Sequence, residues 1–204
     1  MRFLNDIISE LAEADIARVF SKVRRASYIG VLSVAIFSIC WIVAAMLDGS
    51  WVYGANMVSD LGVSAVRSAR VVFEAGCIAA GIGFAGYGYS IMSVCSRPLV
   101  KITYALCMVC GFCLIGVGLF NELSPVHIPC ALTLGIVATI AVAISTIDDI
   151  IQGNVVAIVK TALISVFVLI SLFFGVPFAE ATMIICLMAW ILVKSSLFIK
   201  MDRI

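Results

Sequence analysis

Six apolar stretches, each about twenty residues long, leave this chain few ways to fold. They cover residues 28–47, 71–92, 102–120, 128–147, 156–178 and 181–199. At about 1.5 Å per residue, each can cross a hydrocarbon core roughly 30 Å thick. Only 12% of the 204 side chains are charged, against about 25% in a soluble domain. The expected fold class is therefore an all-α polytopic membrane protein with six transmembrane helices, multi-pass in the cell membrane. No secretory signal peptide is expected, since the first uncharged stretch begins only after Arg25.

Basic residues set the expected orientation. Lys22, Arg24 and Arg25 precede the first span, and Arg97 and Lys101 lie between the second and third. Lys160 opens the fifth, and Lys194, Lys200 and Arg203 close the chain. All of these fall on one side of a six-span topology, with only Arg67 and Arg70 on the other. The positive-inside bias then places both termini in the cytoplasm. Lys194 is expected to snorkel from the end of the last span.

Residues 1–25 read differently, and the chain divides into this segment and a bundle over 26–204. Leu4, Ile7, Ile8, Leu11, Ile16, Val19, Phe20 and Val23 recur at helical spacing, while Asp6, Glu10, Glu13 and Arg18 occupy the other face. The segment is too polar to span. An amphipathic helix in the membrane interface is the expectation, with packing on the cytoplasmic ends of the bundle as the alternative.

The polar outliers gather on the outer side. The long loop over about 48–70 is only mildly polar and is expected to fold back over the outer mouth. It brings Asp48, Asn56, Ser59, Asp60, Arg67 and Arg70. Glu74 follows at the top of the second span, Asn121, Glu122, Ser124 and His127 join spans three and four, and Glu180 tops the sixth. Ionisable groups at such depth usually face a cavity or a partner. Asp60, Glu122 and His127 are the candidate acid–base residues, because histidine titrates near neutral pH and carboxylates can serve as its partners. Asn56, Ser59, Arg70, Glu74 and Asn121 are the candidate ligand-binding residues. Each has a plainer reading: Asn56, Ser59, Asp60 and Gly62 suit a capped turn, Arg70 and Glu74 an i, i+4 ion pair, and His127 a helix cap.

Other features bear on chemistry mainly by exclusion. Cys107, Cys110 and Cys113 recur every third residue, but no histidine completes a zinc set, and they read as core residues. The single histidine rules out bis-histidine haem, so no metal or other cofactor is expected. Asp148 and Asp149 end span four, where acids are disfavoured; they are expected to pair with Lys101 or Lys160, or to face water. Net charge is +1 and there is no basic run, so no nucleic-acid partner is expected. Gly76, Gly81, Gly83, Gly86 and Gly88, with Ala79 and Ala80, give span two small-xxx-small faces. Those faces suit a central place in the bundle or a homodimer contact.

Two of these patterns, Asn56 with Ser59-Asp60-Leu61-Gly62 and Gly116 to Glu122 followed by His127, resemble the family of small prokaryotic membrane proteins known as domain of unknown function 998. That family is distantly similar to a eukaryotic six-helix group that includes FRAG and DRAM. The resemblance covers about residues 28–199. It implies site residues at Ser59, Asp60, Leu61, Gly62, Glu122 and His127, and implies no particular reaction. Asn121 departs from the proline that often precedes the acid. Three function classes follow. Binding of a membrane lipid or small amphiphile at an outer polar cleft asks least of the residues and leads. A membrane enzyme acting on a lipid-like substrate is the alternative, with a small transporter or channel behind it.

Overall fold

The computed structural model describes the backbone of residues 2–200 and the side chains of residues 16–199. Within these the chain is helical. The helices are α1 (Arg2–Asp48), α2 (Arg67–Val94), α3 (Pro98–Leu119), α4 (His127–Ile151), α5 (Val155–Ser171) and α6 (Val176–Lys200). Short 3-10 turns cover Ser59–Val63 in the first loop and Leu172–Phe174 after α5. Six helices are long and apolar enough to cross a membrane.

Local chemistry explains where the helices start. Pro98 opens α3, Pro125 lies in the turn before α4, Pro129 falls in the first turn of α4, and Pro177 in that of α6. A first-turn amide has no intrahelical acceptor, so proline loses nothing there. Asn154 caps α5, its side-chain oxygen accepting from the Ala157 amide at 3.3 Å. The α5–α6 link is tighter than the sequence suggests. It consists of the 3-10 turn Leu172–Phe174 and Gly175, whose φ of 99° other residues rarely adopt. Pro177 and Glu180 both lie in α6.

Helix α1 has 47 residues, a length of about 70 Å at 1.5 Å per residue. It carries the predicted amphipathic segment and the first span without a break. Most of the predicted amphipathic face precedes Ile16 and lies outside the described residues.

The helices neighbour one another in sequence order, and α6 returns against α1. Helix α2 lies between α1 and α3, and its glycines are why. Gly76 faces Cys40 and Gly83 faces Ser33, both on α1. On the other side, a Cβ at Gly81 would come within 2.7 Å of the Gly111 carbonyl, and one at Gly88 within 2.5 Å of the Tyr104 carbonyl. Backbone cannot yield to such contacts. These small faces are thus covered within the chain, whereas a Cβ at Gly86 would meet open space.

The interior holds polar groups in pairs. Tyr87 and Tyr104 meet edge to face with centroids 5.3 Å apart, their hydroxyls at 3.3 Å, and Ser195 donates to Tyr87. Near the end that carries the termini, Asp149 pairs with Lys194 and Asp148 with Arg97. The expected partners, Lys101 and Lys160, are not used. Adjacent helical residues point about 100° apart, so one acid meets the α2–α3 linker and the other turns into the seam with α6. Lys194 is buried in that seam instead of snorkelling.

Candidate functional site

The end opposite the termini, expected from the charge bias to be the outer one, carries the first loop. Several bonds in that loop join a short polar side chain to nearby backbone. Asp48 ends α1 and accepts from the Ser50 amide at 3.1 Å and the Ser64 hydroxyl at 2.5 Å. Asn56 accepts from the Val52 amide at 3.0 Å. Asp60, within the 3-10 turn, accepts from the Met57 amide just before that turn at 2.8 Å. That turn drives Val58 and Leu61 into the core.

A residue one turn into α6 holds this loop down. The Glu180 carboxylate accepts from the Val58 amide at 2.7 Å and from the Ser59 hydroxyl at 3.2 Å. Charge-assisted bonds of this kind are stronger than neutral ones. The sequence marked Glu180 only as a polar outlier. Its signal was an acid in an apolar helix, with nothing to say which loop it would meet.

The other candidates take local partners. His127 is buried, and its Nδ1 donates to the Phe120 carbonyl at 2.6 Å. It thereby ties the end of α3 to the start of α4. Asn121 accepts from the Leu123 amide within the same turn. Among the described residues, His127 forms no ion pair with Glu122, and Arg70 forms none with Glu74; Arg70 donates instead to the Ser64 carbonyl at 3.3 Å. The structure thus brings Ser59 to Glu180, and engages Asn56, Asp60, Arg70, Asn121 and His127 with backbone.

Beneath the loop lies a groove of about 610 Å³ between α1 and α6. Helix α1 supplies Trp41, Ile42, Ala45 and Met46 to its wall, and α6 supplies Ile185 and Met188. Trp51 and Tyr53 form the loop side. Trp41 and Trp51 meet edge to face at 6.0 Å, and Tyr53 packs on Phe178 at 5.4 Å. Trp51 donates to the Met57 carbonyl at 2.8 Å, and the Tyr53 hydroxyl lies 3.3 Å from that of Thr182. Gly54 lets the loop pass so close to Phe178 that a Cβ would stand 2.9 Å from its ring. Sequence reading missed the groove. Its signal was the Trp51-Val52-Tyr53 run just beyond a span, at a level where aromatic residues favour the membrane interface.

A family model described as a protein of unknown function, DUF998, matches residues 31–196. The chain belongs to the DUF998 family. The match begins inside α1 and ends inside α6, so it takes in helices α2 to α5, the clamped loop and the groove. No curated protein and no solved structure matches this DUF998 protein.

Proposed function

We propose that this DUF998 protein is a lipid-binding protein of the cell membrane, taking one acyl chain of a membrane lipid or similar amphiphile into the α1/α6 groove. The observation that carries this reading is the groove itself. It is apolar, lies along two membrane-spanning helices, and opens at exposed Ile42, Met46 and Ile185. Its stretch of α1, from Ser38 to Met46, runs about 12 Å at 1.5 Å per residue. The clamped loop forms its outer wall. This is binding beneath the outer polar cap, with Asn56, Asp60 and His127, each bonded to nearby backbone, serving as scaffold.

Filling the groove tests the proposal. Ala45→Trp places a large side chain in the wall. Native mass spectrometry of the purified full chain, with dipalmitoyl phosphatidylcholine as probe, should show one bound lipid on the wild type and at least tenfold weaker binding on the variant. Equal binding by the two would remove the groove as the site.

A further inference from the structure

Helix α1 keeps one exposed face along its span. Ile29, Leu32, Ile39 and Met46 are 39%, 59%, 61% and 76% exposed, at steps of three or seven residues that stay on one side of a helix. The opposite side, with Val23, Ala26, Ser27 and Val34, is buried against the bundle. Followed toward the N-terminus, the exposed stripe changes chemistry. It continues through Arg25, Lys22 and Arg18, all three exposed. Their i, i+4, i+7 spacing stacks them on one face. Tyr28, 55% exposed, stands at the border between the apolar and the basic parts, a level that aromatic side chains favour in membranes.

The length of α1 decides what these cations meet. Asp48, bonded to Ser50 and Ser64, ends the helix at the opposite polar cap. Arg25, Lys22 and Arg18 lie 23, 26 and 30 residues before it, about 35, 39 and 45 Å along the helix. A bilayer is roughly 30 Å thick in its hydrocarbon core and roughly 40–45 Å with both headgroup layers. All three cations therefore stand at the headgroup layer of the leaflet nearer the termini, where lipid phosphates are.

The protein supplies no anion to them at that level. Among the described residues, Arg18, Lys22 and Arg25 form no ion pair, whereas Arg97 and Lys194 at the same end pair with Asp148 and Asp149. In the sequence, Asp6, Glu10, Glu13 and Asp15 all precede Arg18, and no acid follows until Asp48. Asp15 is about 50 Å down the helix from Asp48, beyond the headgroups. Orientation of the bundle needs only basic residues on one side; it does not need three on one face, in line with an exposed apolar stripe.

We propose that the Arg18, Lys22 and Arg25 face binds the phosphate-bearing headgroup of an anionic phospholipid, whose acyl chain lies along Ile29 and Leu32. The site is at the other end of α1 from the α1/α6 groove and does not depend on it.

Native mass spectrometry of the full chain compares palmitoyl-oleoyl phosphatidylglycerol with palmitoyl-oleoyl phosphatidylcholine, which share chains and differ in headgroup charge. One cation near an anionic lipid surface is worth about fivefold, so the wild type should bind the anionic lipid about fivefold more tightly, or better. The triple variant Arg18→Gln/Lys22→Gln/Arg25→Gln should bring that ratio to about one. Lys101→Gln/Lys160→Gln removes two other exposed cations of the same end and should leave the ratio in place. A wild-type ratio of one overturns the proposal, and that measurement needs no variant to fold. A ratio that persists in the triple variant overturns it too, as does equal loss in Lys101→Gln/Lys160→Gln, which would show a diffuse field in place of a site. Glycerol 1-phosphate carries the phosphate without the chains and should not compete at equal ionic strength; full competition would mean adventitious anion binding only. A dimer that the triple variant loses would put a second copy on this face and likewise overturn it.

Discussion

Replacing Asp149 by Leu should be the most damaging single change among the charged residues of the bundle. The two side chains of the Asp149–Lys194 pair are 8% and 10% exposed. The variant leaves the Lys194 ammonium in an apolar seam between α4 and α6 with its counter-charge gone. Breaking a pair buried this deeply costs about 3–5 kcal/mol, chiefly from the charge left behind. A domain of roughly this length loses about 2–4 °C of melting temperature per kcal/mol, so the fall should be about 6–20 °C. The neighbouring pair is the internal control. Arg97 is 43% exposed beside Asp148, and partly solvated pairs contribute about 1 kcal/mol or less. Asp148→Leu should therefore cost only a few degrees. The double variant Asp149→Leu/Lys194→Met removes both charges and should recover most or all of the loss, since apolar replacement of a buried pair is often neutral or stabilising. The assay is melting of purified protein in one fixed detergent, followed by size-exclusion fluorescence. A fall below about 2 °C for Asp149→Leu, or a double variant as unstable as the single one, would refute the reasoning.

Other outcomes follow from the outer end and the loops. Glu180→Ala should free the Val58 and Ser59 contacts and cost about 1–3 kcal/mol, with hydrogen exchange rising at residues 57–61 while α3 is unaffected; unchanged exchange there would show that the loop holds without its clamp. In a background without native cysteines, an impermeant maleimide should label cysteines placed at Ser50 and Leu123 from outside intact cells, and not those at Ser96 and Gln152; the reverse pattern would invert the bundle. Burial pushes the Cys95 thiol up, while Arg97 and Lys101 pull it partly back. A raised thiol is protonated at neutral pH, and only the thiolate reacts. Alkylation of Cys95, with the other seven cysteines replaced, should therefore be slow at pH 7 and still rising at pH 9, and a plateau by pH 8 would contradict this.

Much of the architecture was legible in the chain because it follows from local and additive properties. Six apolar runs demand six spans wherever they sit, since a backbone in lipid must satisfy its own hydrogen bonds. Pro129 marks the start of α4 because the first turn has amides to spare. The glycines of α2 announced close packing, and they meet α1 and α3 as a central helix would. In the loop motif, Asn56 and Asp60 bond backbone within four residues, as their short polar side chains allow, whereas Ser59 reaches Glu180.

What tertiary structure decided is which distant groups meet. Glu180 reaches Val58 across 122 positions, and Lys194 reaches Asp149 across 45. Sequence shows that a buried charge needs a partner, but several oppositely charged residues lay at the same end of the bundle. Only the azimuth of each helix selects Arg97 and Lys194 over Lys101 and Lys160. Trp41 makes the same point. By itself it is one more aromatic residue in an apolar span; it becomes the wall of a groove only because α6 returns beside α1 and the loop lays Trp51 against it. Local chemistry determines the elements and their ends, whereas a site assembled from separate helices depends on how those helices rotate and pack.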